Sequence, residues 1–257
     1  MTDIPFSLKG RTALIAGASS GFGAHFAKLF AAAGANIVLG ARRTDRISAL
    51  AAEIEQGEAQ ALSVPLDVTD EASVVAAYDA AEDRFGTVDT IIANAGTSAT
   101  GRSTDVTVDD LHRVIDTNFL GVYLTVREGA KRLIASGSKE KENGRVTIIG
   151  SITHRMTGEG DGAYAATKAG VTHLGRFFAR EWVRQGININ TIHPGYIPTE
   201  IQGDWYSTEG GAQQVAGFHR RRLQDIDSLN AMILYFSSDA SRMVTGSDIL
   251  VDDGQSL

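Results

Sequence analysis

A serine, a tyrosine and a lysine near the middle of the chain have the types and spacing to move a proton. Ser151 stands thirteen residues before Tyr164, and Tyr164 four before Lys168, in Tyr164-Ala-Ala-Thr-Lys168. The stretch 163–184 is rich in Ala, Phe and Arg, lacks Pro, and predicts one long helix. Residues four apart on a helix have Cβ atoms about 5–6 Å apart, so Tyr164 and Lys168 are expected on one face. A free phenol titrates near pH 10, and an ammonium beside it favours the phenolate, as would a cationic cofactor. Bringing that phenol to about pH 7 takes roughly 4 kcal/mol, at about 1.4 kcal/mol per unit. Two positive charges in a partly dry cleft could supply it. A Tyr and a Lys four apart also occur on ordinary helix faces, so the pair takes its meaning from the rest of the chain.

The elements that must position these groups alternate. Short apolar runs at Thr12–Ala16, Ile37–Leu39, Ala61–Leu66, Val88–Ala93, Val146–Ile149, Ile187–Ile192 and Asp248–Val251 read as strands. Between them lie helical patterns near 22–33, 44–56, 70–85, 109–135, 163–184 and 225–238. This rhythm predicts an α/β fold: one doubly wound Rossmann domain over residues 1–257, with a seven-stranded parallel sheet flanked by helices on both faces. Two segments fall outside it. Residues 137–144 hold Ser-Lys-Glu-Lys-Glu-Asn and read as a solvated loop. Residues 199–224 combine Trp205, Tyr206, Gly210, Gly211 and Phe218, and read as a mobile lid or, failing that, an interface segment.

The first strand runs into Gly17-x-x-x-Gly21-x-Gly23 and then a helix. Glycines there permit a tight turn and close approach of backbone N–H groups to a pyrophosphate, while the helix start supplies free donors and a partial positive charge. An NAD site normally places a carboxylate on the ribose about 20 residues further on. Here the chain reads Gly40-Ala41-Arg42-Arg43, so a 2′-phosphate meets two guanidiniums and no carboxylate. NADP(H) is the expected cofactor.

Composition closes off other chemistries. A net charge of −7 gives nucleic-acid binding no electrostatic support. With no cysteine, disulfides and thiolate chemistry are excluded. The six histidines, at 25, 112, 154, 173, 193 and 219, show no ligand spacing, so no metal is expected. No apolar run approaches the roughly 18 residues of a spanning helix. The N-terminal Met1-Thr-Asp-Ile-Pro-Phe lacks the charge and apolar pattern of a secretory signal. A soluble, cytoplasmic protein is expected.

Taken in order, Gly17-x-x-x-Gly21-x-Gly23, Asn94-Ala95-Gly96, Asn118, Ser151, Tyr164-x-x-x-Lys168 and Pro194-Gly195 resemble the single-domain branch of the short-chain dehydrogenase/reductase family, over essentially the whole chain. The resemblance implies Tyr164 as general acid/base, Lys168 as the residue that lowers the phenol and holds the nicotinamide ribose, and Ser151 as the hydroxyl that polarises the carbonyl. It implies Asn118 as the anchor of a relay water. For the cofactor it implies the turn with Ser19, Ser20 and Phe22, the basic Arg42 and Arg43, Asp67 and Val68 at the adenine, and Asn94, Ala95 and Gly96 along the cleft. Pro194 and Gly195, followed by Ile197 and Thr199, would meet the carboxamide. Ala16 departs from the family's usual Thr, and Ser20 from a basic residue found in some NADP users.

The same resemblance would put Ile152, His154, Met156, Tyr196, Trp205 and Tyr206 at the substrate. These are mostly apolar or aromatic, so the expected activity is an NADP(H)-dependent alcohol dehydrogenase or ketoreductase acting on hydrophobic or bulky ketones and secondary alcohols. A 3-ketoacyl-thioester reductase is the alternative, with Arg127, Lys131 and Arg132 as its only candidate platform for an acidic carrier. A non-catalytic NADP-binding sensor would be expected to lose Ser151, Tyr164 or Lys168. A homotetramer, or a homodimer, is implied through the 109–135 and 163–184 helices and the last strand.

Overall fold

A computed structural model describes residues 6–200 and 202–257; Met1–Pro5, on which the reading of the N-terminus rested, lie outside it. Seven strands form one parallel sheet: β1 (Thr12–Ala16), β2 (Asn36–Ala41), β3 (Ala61–Pro65), β4 (Thr90–Ala93), β5 (Gly144–Ile149), β6 (Ile187–Pro194) and β7 (Asp248–Val251). Their order is β3-β2-β1-β4-β5-β6-β7. This is the doubly wound Rossmann arrangement, and the order reverses between β1 and β4, where a crevice opens at the carboxyl ends of the strands.

Successive side chains on the central strands go to opposite faces, so each face has its own core. Ile15, Ile37, Leu39, Ile92, Ile149 and Ile192 pack under α1 (Gly21–Ala32), α2 (Thr44–Ile54) and α9 (Asn230–Ser237), with Phe26, Phe30, Ile47, Ile233 and Phe236. Leu14, Val38, Ile91, Val146, Ile148 and Ile189 pack on the other face under α3 (Glu71–Phe85), α5 (Gly121–Ala135) and α7 (Gly162–Trp182), with Tyr78, Val126, Leu133, Val171 and Phe178. Burial on both faces is why these strands read as continuous apolar runs.

Two local expectations are corrected. The single helix expected over 109–135 is α4 (Val108–Ile115) and α5, joined by a π-helical turn at Asp116–Leu120. A widened turn changes the helix by one residue, too little to disturb the hydrophobic period, and it presents Asn118 to the cleft wall. The charged loop at 137–144 contains a short helix, α6 (Ser138–Lys141), whose Ser138 is buried and donates to the Gln185 carbonyl at 2.6 Å. Gly186, at φ +71, allows this: a Cβ there would lie 2.0 Å from the Ser138 carbonyl oxygen. The connection after β6 carries a helix of its own, α8 (Glu209–Gly217), capped by the Thr208 side chain.

Candidate active site

Ser151 lies two residues past the end of β5 and starts a 3-10 turn at Ile152–His154; its hydroxyl accepts from the Thr153 amide at 3.2 Å and the Thr153 hydroxyl at 2.9 Å. Gly150, just before it, lets the His193 ring close on the backbone, since a Cβ would sit 2.4 Å from His193 Nδ1. Tyr164 and Lys168 lie on the first turns of α7 and share the expected face: Lys168 Nζ is 5.4 Å from the Tyr164 ring centre. Both line the crevice with Ser151, in a cleft of about 1000 Å³.

Burial governs the electrostatics of the chain by itself. Burial pushes the Tyr164 phenol up, the hydrogen-bonding Ser151 hydroxyl pulls it down, and the Asp161 carboxylate pushes it up again. Lys168 does not offset this, because its ammonium donates to the Ile149 carbonyl at 2.8 Å and is itself pushed down to about 8 by burial. The expected lowering draws on the lysine together with a cationic cofactor; within the chain itself, burial outweighs the Ser151 bond.

Asn118 lies behind the trio, fully buried. Its side chain brackets Thr97, accepting from the amide at 2.8 Å and donating to the carbonyl at 2.9 Å, and it donates to Thr167 Oγ1 at 3.2 Å. Its place is the cleft's supporting wall.

Gly17, Ser19, Ser20, Gly21 and Phe22 form one end of the cleft, at the start of α1. That helix start suits an anion: Ser20 makes no side-chain cap and the first turn has no acidic residue. Asn94 donates to the carbonyls of Ala16 and Gly17 at 3.2 Å, tying the turns after β1 and β4 together. Gly23 is off the cleft and acts by packing; its Cβ would stand 2.2 Å from the Gly17 carbonyl oxygen. Arg42 and Arg43 flank the same end beside Asp67 and Val68. Burial would raise the Asp67 carboxyl, but bonds from Thr69 and the nearby Arg42 charge keep it below the usual range. Arg43 donates to Ser19 at 3.0 Å, Ser20 at 2.6 Å and Glu200 at 2.9 Å. Ala95, Gly96, Pro194, Gly195 and Thr199 line the middle. Ile197 is buried in the core beneath them. A helix start free of acids, next to two arginines and a glycine turn, fits a phosphorylated dinucleotide.

At the far end, Ile152, Tyr196, Trp205 and Tyr206 line the cleft as expected. His154 and Met156 do not, which corrects their assignment to the substrate. His154 is turned onto His193, ring centres 3.8 Å apart, with its Nδ1 2.7 Å from the Ser151 carbonyl. The fold thus gathers residues with no ligand spacing in sequence: one atom each of His154, His193 and Asp248 lie within 4.8 Å of one another. The Asp248 carboxylate is held by Arg176 at 2.7 Å. The cleft is also lined by polar residues that sequence reading missed, among them Ser98, Thr153, Glu159, Asp161, Gln202 and Gln214. Asp161 alone carried a signal, lying three residues before Tyr164.

The family model for short chain dehydrogenases matches residues 11–210. The chain belongs to the short-chain dehydrogenase family. It is 33% identical over 258 residues to the oxidoreductase UcpA of Escherichia coli K12, covering 97% of this chain and 96% of the relative. D-threitol dehydrogenase of Mycolicibacterium smegmatis is 29% identical over 256 residues, covering 99% and 96%. A gluconate 5-dehydrogenase from Burkholderia cenocepacia J2315, solved with NADP and tartrate, superposes with a TM-score of 0.91 at 30% identity, covering 98% and 97%. This short-chain dehydrogenase is accordingly an oxidoreductase of a family that binds a nicotinamide cofactor. No helix among its described residues is long and apolar enough to cross a membrane.

Proposed function

We propose that this short-chain dehydrogenase interconverts a secondary alcohol and a ketone by hydride transfer with NADP(H). The observation that carries the reading is the alignment of Ser151, Tyr164 and Lys168 along one wall of a cleft whose other end holds Arg42 and Arg43. The dinucleotide, when bound, supplies or accepts the hydride at its nicotinamide. In reduction, Tyr164 gives its proton to the oxygen of the developing alkoxide, and Ser151 donates a hydrogen bond to the same atom. In oxidation the proton returns to Tyr164. Lys168, close to the ring face, would steady the phenolate together with the cationic nicotinamide and would bond the ribose hydroxyls. Arg42 and Arg43 hold the 2′-phosphate, and the gluconate 5-dehydrogenase solved with NADP supports the same cofactor here.

Tyr196, Trp205 and Tyr206 offer a substrate an apolar face, and segment 199–224 acts as its lid. The acyl-carrier alternative loses support: Arg127 is paired with Glu71, and Arg132 with Asp79, Glu82 and Glu128, so that surface is charge-balanced. Exposed Leu111, Ile115, Phe119, Leu120, Tyr123 and Phe177 on α4, the π-turn, α5 and α7 support association with further copies as a homotetramer or homodimer. A cytoplasmic location goes with this reading. The test is a cofactor-consumption screen of ketones and secondary alcohols with NADPH/NADP and NADH/NAD in parallel. Turnover favouring the phosphorylated cofactor is expected; cofactor binding with no turnover across the panel would instead favour a sensor.

A further inference from the structure

We infer that Asp161 reads a hydrogen-bond donor carried by the substrate next to its reacting carbon, so that the preferred alcohol is a vicinal diol or other donor-bearing alcohol and a carboxylate at that position is disfavoured. The inference rests on the oxidoreductase reading above and names its substrate class.

Asp161 immediately precedes α7, three residues before Tyr164, a spacing that puts both on the same side of a helical turn. It lines the cleft with Tyr164. The position is one where an aspartate ordinarily caps the helix, yet its side chain makes no cap bond. Among the described residues the side chain's one hydrogen bond comes from the Ser98 hydroxyl, at 3.2 Å to Oδ1. The backbone keeps it on the wall, because Gly101 N donates to the Gly160 carbonyl at 3.0 Å and clasps the two loops together. Burial pushes its carboxyl up to about 6, and no neighbouring cation offsets this. A half-desolvated carboxylate with a free oxygen gains most from a donor and loses most from a second negative charge.

The charges around it agree. Among the described residues the cations lining the cleft are Arg42, Arg43 and Lys168. The arginines stand at the far end, Arg43 on Glu200, and Lys168 donates to the Ile149 carbonyl. Glu159 lines Asp161's own end. A substrate hydroxyl or ammonium therefore finds an acceptor there, and a substrate carboxylate finds none of the cations it needs.

The test is oxidation by the full-length protein with NADP of four matched alcohols: cyclohexanol, its vicinal diol, its vicinal amino alcohol and its vicinal hydroxy acid. For the natural sequence, kcat/KM is expected to be about tenfold or more higher for the diol and the amino alcohol than for cyclohexanol, the value of one bond to a charged acceptor. The hydroxy acid is expected to fall about tenfold below cyclohexanol. In Asp161→Leu the diol advantage should collapse to within about threefold, and in Asp161→Asn the hydroxy-acid penalty should shrink. The natural-sequence ratios need no variant to fold. Equal kcat/KM across the series, a preference for the hydroxy acid, or unchanged ratios in both variants would overturn the inference while leaving the oxidoreductase reading standing. If none of the four, cyclohexanol included, is turned over while NADP binds, the reading itself falls and this inference with it.

Discussion

The Lys168 ammonium stands over the Tyr164 ring, 5.4 Å from its centre, while donating its proton to the Ile149 carbonyl at 2.8 Å. Burial drives the two groups in opposite directions, the phenol up and the ammonium down to about 8. Proton transfer at Tyr164 therefore depends on what enters the cleft beside them.

Tyr164→Phe keeps the ring and removes the proton. Its kcat is expected to fall by about a hundredfold or more, the usual worth of a positioned acid, with NADPH still bound by fluorescence titration. Near-normal turnover on any good substrate would refute the role of Tyr164.

Glu200, on the segment over the cleft, bonds Arg43 at 2.9 Å and Arg46 at 2.7 Å, so it competes for a guanidinium that a 2′-phosphate would use. The pair is exposed and so worth little. Glu200→Gln is expected to tighten NADPH binding by about two- to fivefold and leave NADH binding unchanged. Arg43→Ala should weaken NADPH more than tenfold relative to NADH. Titration of both cofactors against the three proteins checks this, and equal shifts for NADH and NADPH would count against it.

His193 is fully buried, and burial followed by the nearby His154 lowers its pKa to about 4. Unfolded, it titrates near 6.5. Between those values the unfolded chain holds a proton that the folded one refuses, so stability is present above pH 6.5 and is lost as pH falls toward 4, by on the order of 3 kcal/mol. Asp161, raised to about 6, works the other way over part of that range, which is why the comparison needs a variant. In His193→Gln the drop in Tm from pH 7 to 4.5 should be smaller than in the natural sequence. Parallel curves would show that His193 does not set the acid limb.

Gly23 packs against the turn it supports, leaving 2.2 Å between a built Cβ and the Gly17 carbonyl oxygen, a backbone atom that cannot swing aside. Gly23→Ala should cost about 1–3 kcal/mol, lower Tm by several degrees, and weaken NADP and NAD alike because the whole turn moves. Calorimetry with and without cofactor checks both parts; selective loss of NADP alone would contradict it.

What could be read from residue order was whatever depends on neighbours along the chain. Alternating Leu14/Ile15, Ile91/Ile92 and Ile148/Ile149 announced strands buried on both faces, because side chains alternate with period two. The four-residue step from Tyr164 to Lys168 placed them on one face because a helix repeats every 3.6 residues. Strand order, by contrast, brings Arg43 to Glu200 and His154 to His193 and Asp248, and no local period records such distant encounters. The same holds for the sign of the site's electrostatics. Whether Lys168 or burial governs the phenol, and whether the substrate end is apolar or carries the Asp161 carboxylate, depends on desolvation by residues far away in sequence. Only the folded chain decides that.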